Sequence, residues 1–177
     1  MDAPAIVARI SATLPDAVVA DGSAARDPFV QVTPACIGDA LRLLRNDPDL
    51  AFDNLMGLTA LDLMGLQESP DLRVVYHLFS YGHRHVINVR VDVPRDAATL
   101  PTATTLWASA NWQEREAFDL LGVDFPGHPD LKRILLPPEW VGHPLRRDWK
   151  QGPTALGFPT TRRTLLDEIR ESATKKD

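Results

Sequence analysis

The chain has 177 residues, of which 44% are hydrophobic and 24% are charged, and this length and composition predict one globular domain. Its single cysteine, Cys36, excludes a disulfide framework, a zinc site with cysteine ligands and a self-contained iron–sulfur cluster, because each of these needs several thiolates. The net charge of −5 disfavours non-specific binding to nucleic acid.

The two ends of the chain differ in charge. Residues 1–125 carry 9 basic and 17 acidic groups, whereas residues 126–177 carry 10 basic and 7 acidic groups. A basic tail suits an acidic protein partner, although two solvated surfaces explain the charge equally well. No apolar run approaches the roughly 20 residues of a membrane helix, and the first residues lack a signal-peptide pattern. We therefore expect a cytosolic chain, or one bound to a membrane only through a partner.

Hydrophobic spacing predicts the elements of the first half of the chain. Apolar residues at helical spacing predict a helix over 6–14, ending near Pro15. The Asp21-Gly22-Ser23 turn joins two short strands, over 17–20 and 29–32, into a hairpin. Thr33 and Pro34 then begin a second helix, which ends at Asp47-Pro48.

Three strands and a helix follow. The segment 55–61 is apolar on both faces, which predicts a central strand. Segments 73–79 and 83–93 form a predicted hairpin, and alternation in its second strand gives one buried face and one face that is wet or paired with a partner. A helix is predicted over 104–121. This order predicts an α+β domain over 1–122, with a mostly antiparallel sheet and helices on one face.

Residues 123–177 are predicted to form an extended, proline-rich C-terminal arm. Seven of the 15 prolines lie between residues 123 and 159, where they remove backbone donors and block helices. A short terminal helix is predicted over 161–169. A long segment without regular elements is usually functional, so we expect the functional site in the arm.

The arm contains two Gly-His-Pro motifs, Gly127-His128-Pro129 and Gly142-His143-Pro144, each followed by a basic pair. One interpretation is a metal site built from the histidines and two carboxylates, Asp130 and Asp148. The flanking arginines would repel a cation, which argues against it. A second interpretation is acid–base catalysis, with the histidines joined by Glu114, Glu116 and Asp119.

The third interpretation is docking, and it uses every feature of the arm. Glycine and proline make an irregular segment rigid, arginines pair with carboxylates, and Trp140 and Trp149 offer large apolar anchors. The arm could instead fold back on its own domain, with Arg133 paired to Glu116 or Asp119.

The same residues resemble a known family. The similarity extends over about residues 74–149, and three runs carry most of it. They are Glu114-Arg115-Glu116-Ala117-Phe118-Asp119-Leu120-Leu121-Gly122, Phe125-Pro126-Gly127-His128-Pro129-Asp130-Leu131-Lys132-Arg133-Ile134-Leu135 and Gly142-His143-Pro144-Leu145-Arg146-Arg147-Asp148. Together they resemble the signature of the 30-kDa-type subunit of respiratory complex I, the proton-translocating NADH:quinone oxidoreductase, in its bacterial form.

The resemblance implies a non-catalytic subunit of that oxidoreductase, on the cytoplasmic face of the bacterial plasma membrane. The subunit would belong to the peripheral arm of the complex, which is a different structure from the C-terminal arm of this chain. It implies contacts with the 49-kDa-type subunit and the quinone-side iron–sulfur subunit. NADH, FMN, iron–sulfur clusters and quinone would be bound by partner subunits, and no cofactor by this chain. Ferredoxin-linked and hydrogenase-type relatives, and an independent metal-dependent hydrolase using both motif histidines, remain alternatives.

We therefore predict a set of residues that fix the arm or dock it on a partner. They are Glu114, Arg115, Glu116, Asp119, His128, Asp130, Arg133, Trp140, His143, Arg146, Arg147, Asp148 and Trp149.

Overall fold

A computed structural model describes residues 1–66, 69–152, 154, 155, 158 and 159. These residues form an α+β fold with three α-helices, which confirms the predicted class; the helix predicted over 161–169 lies outside them. The helices are α1 (Ala3–Thr13), α2 (Ile37–Asn46) and α3 (Ala110–Leu121). The strands are β1 (Val18–Gly22), β2 (Phe29–Val32), β3 (Asn54–Asp62), β4 (Leu72–Ser80), β5 (His85–Val93), β6 (Thr154–Ala155) and β7 (Phe158–Pro159).

The main sheet has five strands in the order β1-β2-β5-β4-β3, and β6 pairs separately with β7. The predicted hairpin is confirmed, since β4 and β5 pair antiparallel from Leu72–Val93 to Ser80–His85 without a break. The β1–β2 and β3–β4 pairs are also antiparallel, whereas β2 runs parallel to β5. The parallel pair is possible because α2, β3 and β4 supply the long connection that it needs.

The prediction of a central strand over 55–61 is wrong, because β3 lies at the edge of the sheet. Leu58 and Ala60 face the core and are 6% and 8% exposed. Met56 and Leu61 point to the other side, where 53% and 45% of their surfaces are exposed. Because β3 exposes apolar side chains on its open face, its sequence cannot be distinguished from that of a central strand covered on both faces.

The core lies on one face of the sheet, as the alternation in β5 predicts. Ile87, Val89, Val91 and Val93 are at most 1% exposed and pack in a single cluster with apolar residues of all three helices. Polar pairs occupy the opposite face: Arg73 Nε donates to Asp92 Oδ1 at 2.6 Å. One face of the sheet therefore holds the helices, and the other carries polar pairs together with exposed apolar side chains of β3.

Helix α3 begins at Ala110, six residues later than the sequence predicted. The preceding segment is held in turns because its polar groups bind elsewhere. The Trp107 indole donates to the Phe52 carbonyl at 3.0 Å, and the Ser109 hydroxyl donates to the Leu55 carbonyl at 3.1 Å. Beyond the helix, Val123 and Phe125 are still core residues, and the division of the chain after residue 122 stays a prediction.

Candidate functional site

The arm packs against the C-terminal end of α3, and a glycine makes this approach possible. Gly122 ends the helix with φ 72° and ψ 36°, the left-handed conformation that suits glycine. A Cβ atom at this position would lie 2.5 Å from His143 Nε2 and 2.8 Å from Arg146 Nη2. The helix end therefore needs glycine both for its backbone angles and for its contact with the arm.

Asp119 is the centre of this junction and is fully buried. Its Oδ1 accepts a hydrogen bond from Arg133 Nη1 at 2.8 Å. Its Oδ2 accepts hydrogen bonds of 2.7 to 3.0 Å from three successive backbone amides, those of Ile134, Leu135 and Leu136. One carboxylate of α3 thus fixes a turn of the arm.

These bonds also determine the ionisation of Asp119. Burial alone raises the pKa of the carboxyl group, because it penalises the charged form. The hydrogen bonds from the backbone amides and from Arg133 outweigh burial and hold the pKa of Asp119 below its ordinary value of 3.8. The carboxylate is therefore charged at neutral pH.

The arm also caps the last carbonyls of α3, which have no partner within the helix. The Asp119 carbonyl accepts from His143 Nδ1 at 3.0 Å, and the Leu120 carbonyl accepts from the amide of Leu145 at 3.1 Å. The Leu121 carbonyl accepts from Arg146 Nε at 2.7 Å. A guanidinium at this end of a helix also faces the negative end of its dipole.

The two motif histidines bind backbone carbonyls on different turns of α3. His143 binds Asp119, whereas His128 Nε2 donates to the Asn111 carbonyl at 3.0 Å. His128 Nδ1 accepts from the amide of Asp130 at 3.0 Å, which assigns the ring proton to Nε2. Both ring nitrogens of His128 are therefore used by the chain itself.

His143 is held in its neutral form. Burial lowers the pKa of His143, and the positive charges of Arg146 and Arg133 lower it further, against the opposing effect of Asp119. Within the described residues, no group of three or more histidine, cysteine or acidic side chains could hold a metal ion.

Glu114 of α3 is also fully buried, and its hydrogen bonds go to the segment that precedes the helix. Its Oε2 accepts from the Thr102 hydroxyl and its Oε1 from the Ala103 amide, both at 2.6 Å. Burial raises the pKa of Glu114, and these hydrogen bonds oppose the increase. The carboxylate thus holds the segment before α3 rather than the arm.

A second junction connects the arm to the end of β3, and it includes two residues that the sequence did not indicate. The buried side chain of Asp62 pairs with Arg95, and its Oδ2 accepts from the Arg147 amide at 2.7 Å. Arg95 Nη1 donates to Asp148 Oδ1 at 3.0 Å. Asp62 and Arg95 lie 85 and 53 residues before their arm partners, so no local motif links them.

The two arm tryptophans contact each other. The rings of Trp140 and Trp149 stack with centroids 5.9 Å apart. The Trp149 indole donates to the Val141 carbonyl at 3.2 Å, and a Cβ on Gly142 would lie 2.7 Å from this ring. The tryptophans thus close a loop of the arm around a glycine with φ 82°.

The remaining predicted residues lie at the margin of this junction. Arg115 Nε donates to the Lys132 carbonyl at 3.1 Å, and its guanidinium lies 4.8 Å from the Trp112 ring centroid. Asp130 pairs with Lys132 at 3.0 Å in an exposed position. Glu116 is exposed and has no hydrogen bond or ion pair among the described residues.

The outward side of the arm is partly apolar. Leu135, Val141 and Leu145 are 59%, 84% and 58% exposed, and we call these three residues the arm surface. Exposed basic side chains lie close to them in sequence, at Lys132, Arg147 and Lys150. Large apolar side chains of the arm therefore lie in solvent, although several of its polar groups are bound within the chain.

Comparison with known proteins assigns the family. A family model described as "Respiratory-chain NADH dehydrogenase, 30 Kd subunit" matches residues 30–155. An NADH-quinone oxidoreductase subunit of Roseiflexus castenholzii is 42% identical over 158 residues, covering 89% of this chain and 90% of that protein. The corresponding protein of Herpetosiphon aurantiacus is 38% identical over 160 residues, covering 89% and 90%. The chain belongs to the family of the 30 Kd subunit of respiratory-chain NADH dehydrogenase, which confirms the resemblance seen in the sequence.

Solved structures agree with this assignment. A structure described as "Nqo5 of the trypsin-resistant fragment (1-134)" matches with a TM-score of 0.62 and 29% identity, covering 74% of this chain and all of that one. A chain of the membrane-bound sulfane sulfur reductase, an archaeal respiratory membrane complex, has a TM-score of 0.64 at 24% identity, covering 100% and 94%. The second match shows a shared fold alone.

Among the described residues, none of the helices is long and apolar enough to cross a bilayer.

Proposed function

We propose that this chain is a peripheral subunit of a proton-translocating NADH:quinone oxidoreductase and that its arm docks on the 49-kDa-type subunit, beside the quinone-side iron–sulfur subunit. In this proposal NADH, FMN, the iron–sulfur clusters and quinone are bound by partner subunits. The chain holds these partners in place at the cytoplasmic face of the membrane and binds no cofactor itself. Family membership and the single cysteine support this assignment.

The exposed arm surface is the observation that carries the docking proposal. Val141 is 84% exposed, and its backbone is fixed because its carbonyl accepts a hydrogen bond from the Trp149 indole. A large apolar side chain on a rigid segment loses little entropy when a partner covers it, which makes it a good anchor. The exposed charges nearby have both signs: Arg147 and Lys150 suit acidic groups on the partner, and Glu139 suits a basic group.

The experiment replaces the native chain in cells with the Val141→Asp variant. A charge in the centre of a desolvated contact opposes docking, so we expect at least a tenfold loss of assembled complex on native gels and of NADH:quinone reductase activity in membranes. The isolated variant keeps its thermal stability, because this side chain is exposed.

Val19→Asp is the matched control, since Val19 is 58% exposed but lies on β1, away from the arm. Normal assembly of Val141→Asp, or an equal loss with both variants, would contradict docking through the arm surface. None of the observations above favours the ferredoxin-linked, hydrogenase-type or hydrolase alternatives.

A further inference from the structure

The two edges of the main sheet are protected to different degrees. The edge strand β1 is short, contains a bulge between Val18 and Ala20, and ends at Asp21-Gly22. The other edge strand, β3, is longer, and after a bulge between Leu55 and Gly57 its register with β4 is regular from residue 57 to residue 62. This segment contains no proline and no lysine or arginine, the residues that usually block an edge.

The outward backbone groups of this segment have no partner among the described residues, although its last residue, Asp62, is buried and contacts the arm through the Arg147 amide. Among the described residues, the backbone groups of residues 57–62 bond only to β4, so alternate N–H and C=O groups face outward. Met56 and Leu61 expose apolar side chains beside them. A long apolar edge of this kind is uncommon in a chain that works alone, because it invites pairing with another strand.

A small groove lies beside residues 58–60 of this edge. Thr59 and Ala60 of β3 form one side, and Glu116, Ala117 and Leu120 of α3 form the other. Leu145 of the arm also lines the groove. A strand that pairs with this edge would place a side chain in the groove, between the strand edge and the helix.

Glu116 gives the groove a charge preference. Its carboxylate is exposed and has no ion pair among the described residues, in contrast to the buried Asp119 on the same helix. A lysine or arginine on an incoming segment would form an ion pair with the Glu116 carboxylate, whereas an acidic residue at that place would be repelled.

We propose that the β3 edge binds an extended segment of another protein chain as a sixth strand, with a basic side chain placed opposite Glu116. Backbone hydrogen bonds to residues 57–62 supply the affinity, and Glu116 with the neighbouring apolar side chains supplies the specificity. The surface shares only Leu145 with the arm surface, and its strand edge and Glu116 lie outside that surface, so this inference does not rest on the proposed function.

The test uses the full chain, labelled with ¹⁵N, and a nine-residue peptide of alternating valine and threonine with a central lysine. We expect the peptide to shift and protect the amides of residues 57–62. A peptide with central glutamate should bind at least fivefold more weakly, and a peptide methylated at every amide nitrogen should not bind, because it cannot pair as a strand. The Glu116→Lys variant should reverse the preference between the lysine and glutamate peptides.

Three results would overturn the proposal. The first is equal binding of the methylated peptide, which would indicate non-specific apolar contact. The second is perturbation of amides outside β3 and the facing side of α3. The third is self-association of the chain through β3 in sedimentation, which would identify the occupant as a second copy. All of these are measured on the isolated chain, so failure of arm docking in the cell would leave the result unaffected.

Discussion

The sheet with its helices and the C-terminal arm are stabilised by different forces. In the sheet, the inward side chains of β4 and β5 are apolar and almost fully buried. In the arm, the polar contacts with α3 are hydrogen bonds from Arg133, His143, Arg146 and successive backbone amides, and Leu145 adds an apolar contact. Apolar burial is spread over many side chains, whereas the arm depends on a few polar groups.

This difference predicts different responses to mutation. A buried polar group that loses its partner bears the full penalty of desolvation, so a single change can release a hydrogen-bonded segment. Helix α3 belongs to both regions, since Ala117 and Leu121 lie in the core cluster while Asp119 binds the arm. Substitutions on this one helix can therefore test the two regions separately.

The largest effect is expected for Asp119→Ala. The change removes the acceptor of three backbone amides and of Arg133, which weakens the attachment of the arm by about 3 kcal/mol. We expect hydrogen exchange in residues 131–149 to accelerate strongly while exchange in β4 and β5 stays slow.

Asp130→Ala is the control, because Asp130 pairs with Lys132 in solvent, where such pairs contribute little. Unchanged exchange of the arm in Asp119→Ala would show that the arm does not depend on this carboxylate. Equal acceleration in the sheet would show that arm and core unfold together.

A smaller effect is expected for Gly122→Ala. The alanine must adopt the left-handed backbone conformation, and its methyl group displaces His143 and Arg146. We expect the free energy of unfolding to fall by about 2 kcal/mol. Urea unfolding and trypsin cleavage in the arm measure the loss. Gly82→Ala is the control, since nothing lies within 4 Å of a Cβ there. Equal stability of the two variants would contradict the close contact between the helix end and the arm.

The smallest effect concerns pH. Burial lowers the pKa of His143, so the unfolded chain takes up a proton near the ordinary value of 6.5 while the folded chain does not. The stability that this histidine contributes is present above pH 6.5 and is lost as the pH falls through its lowered pKa, by at most about 1.4 kcal/mol per pH unit. Urea unfolding at pH 7.5 and 5.5 should show a larger loss for the native chain than for His143→Gln. The same loss in both would contradict a neutral, buried His143.

The elements with strong local patterns were predictable, and those that depend on distant partners were not. The β4–β5 hairpin follows from alternating residues and a short turn, and the structure confirms it. The late start of α3 could not be predicted, because Trp107 and Ser109 bind carbonyls of residues 52 and 55. The edge position of β3 was missed because apolar residues on both faces do not reveal which face is covered.

For the candidate site, sequence motifs indicated the residues but not their partners. The sequence offered Glu116 or Asp119 for Arg133, and the structure selects Asp119, leaving Glu116 in solvent. No sequence motif indicated Asp62 or Arg95, since an aspartate at the end of a strand and an arginine in a turn are common on protein surfaces.

The family, the α+β class and the location of the unusual segment could be predicted without a structure, because they follow from composition, spacing and runs of characteristic residues. Three features are visible only in the folded chain: the acidic groups that hold the arm, the histidine nitrogens that form hydrogen bonds, and the strand at the edge of the sheet. These depend on groups brought together from positions up to 85 residues apart, and their energies arise from burial that exists only in the folded chain.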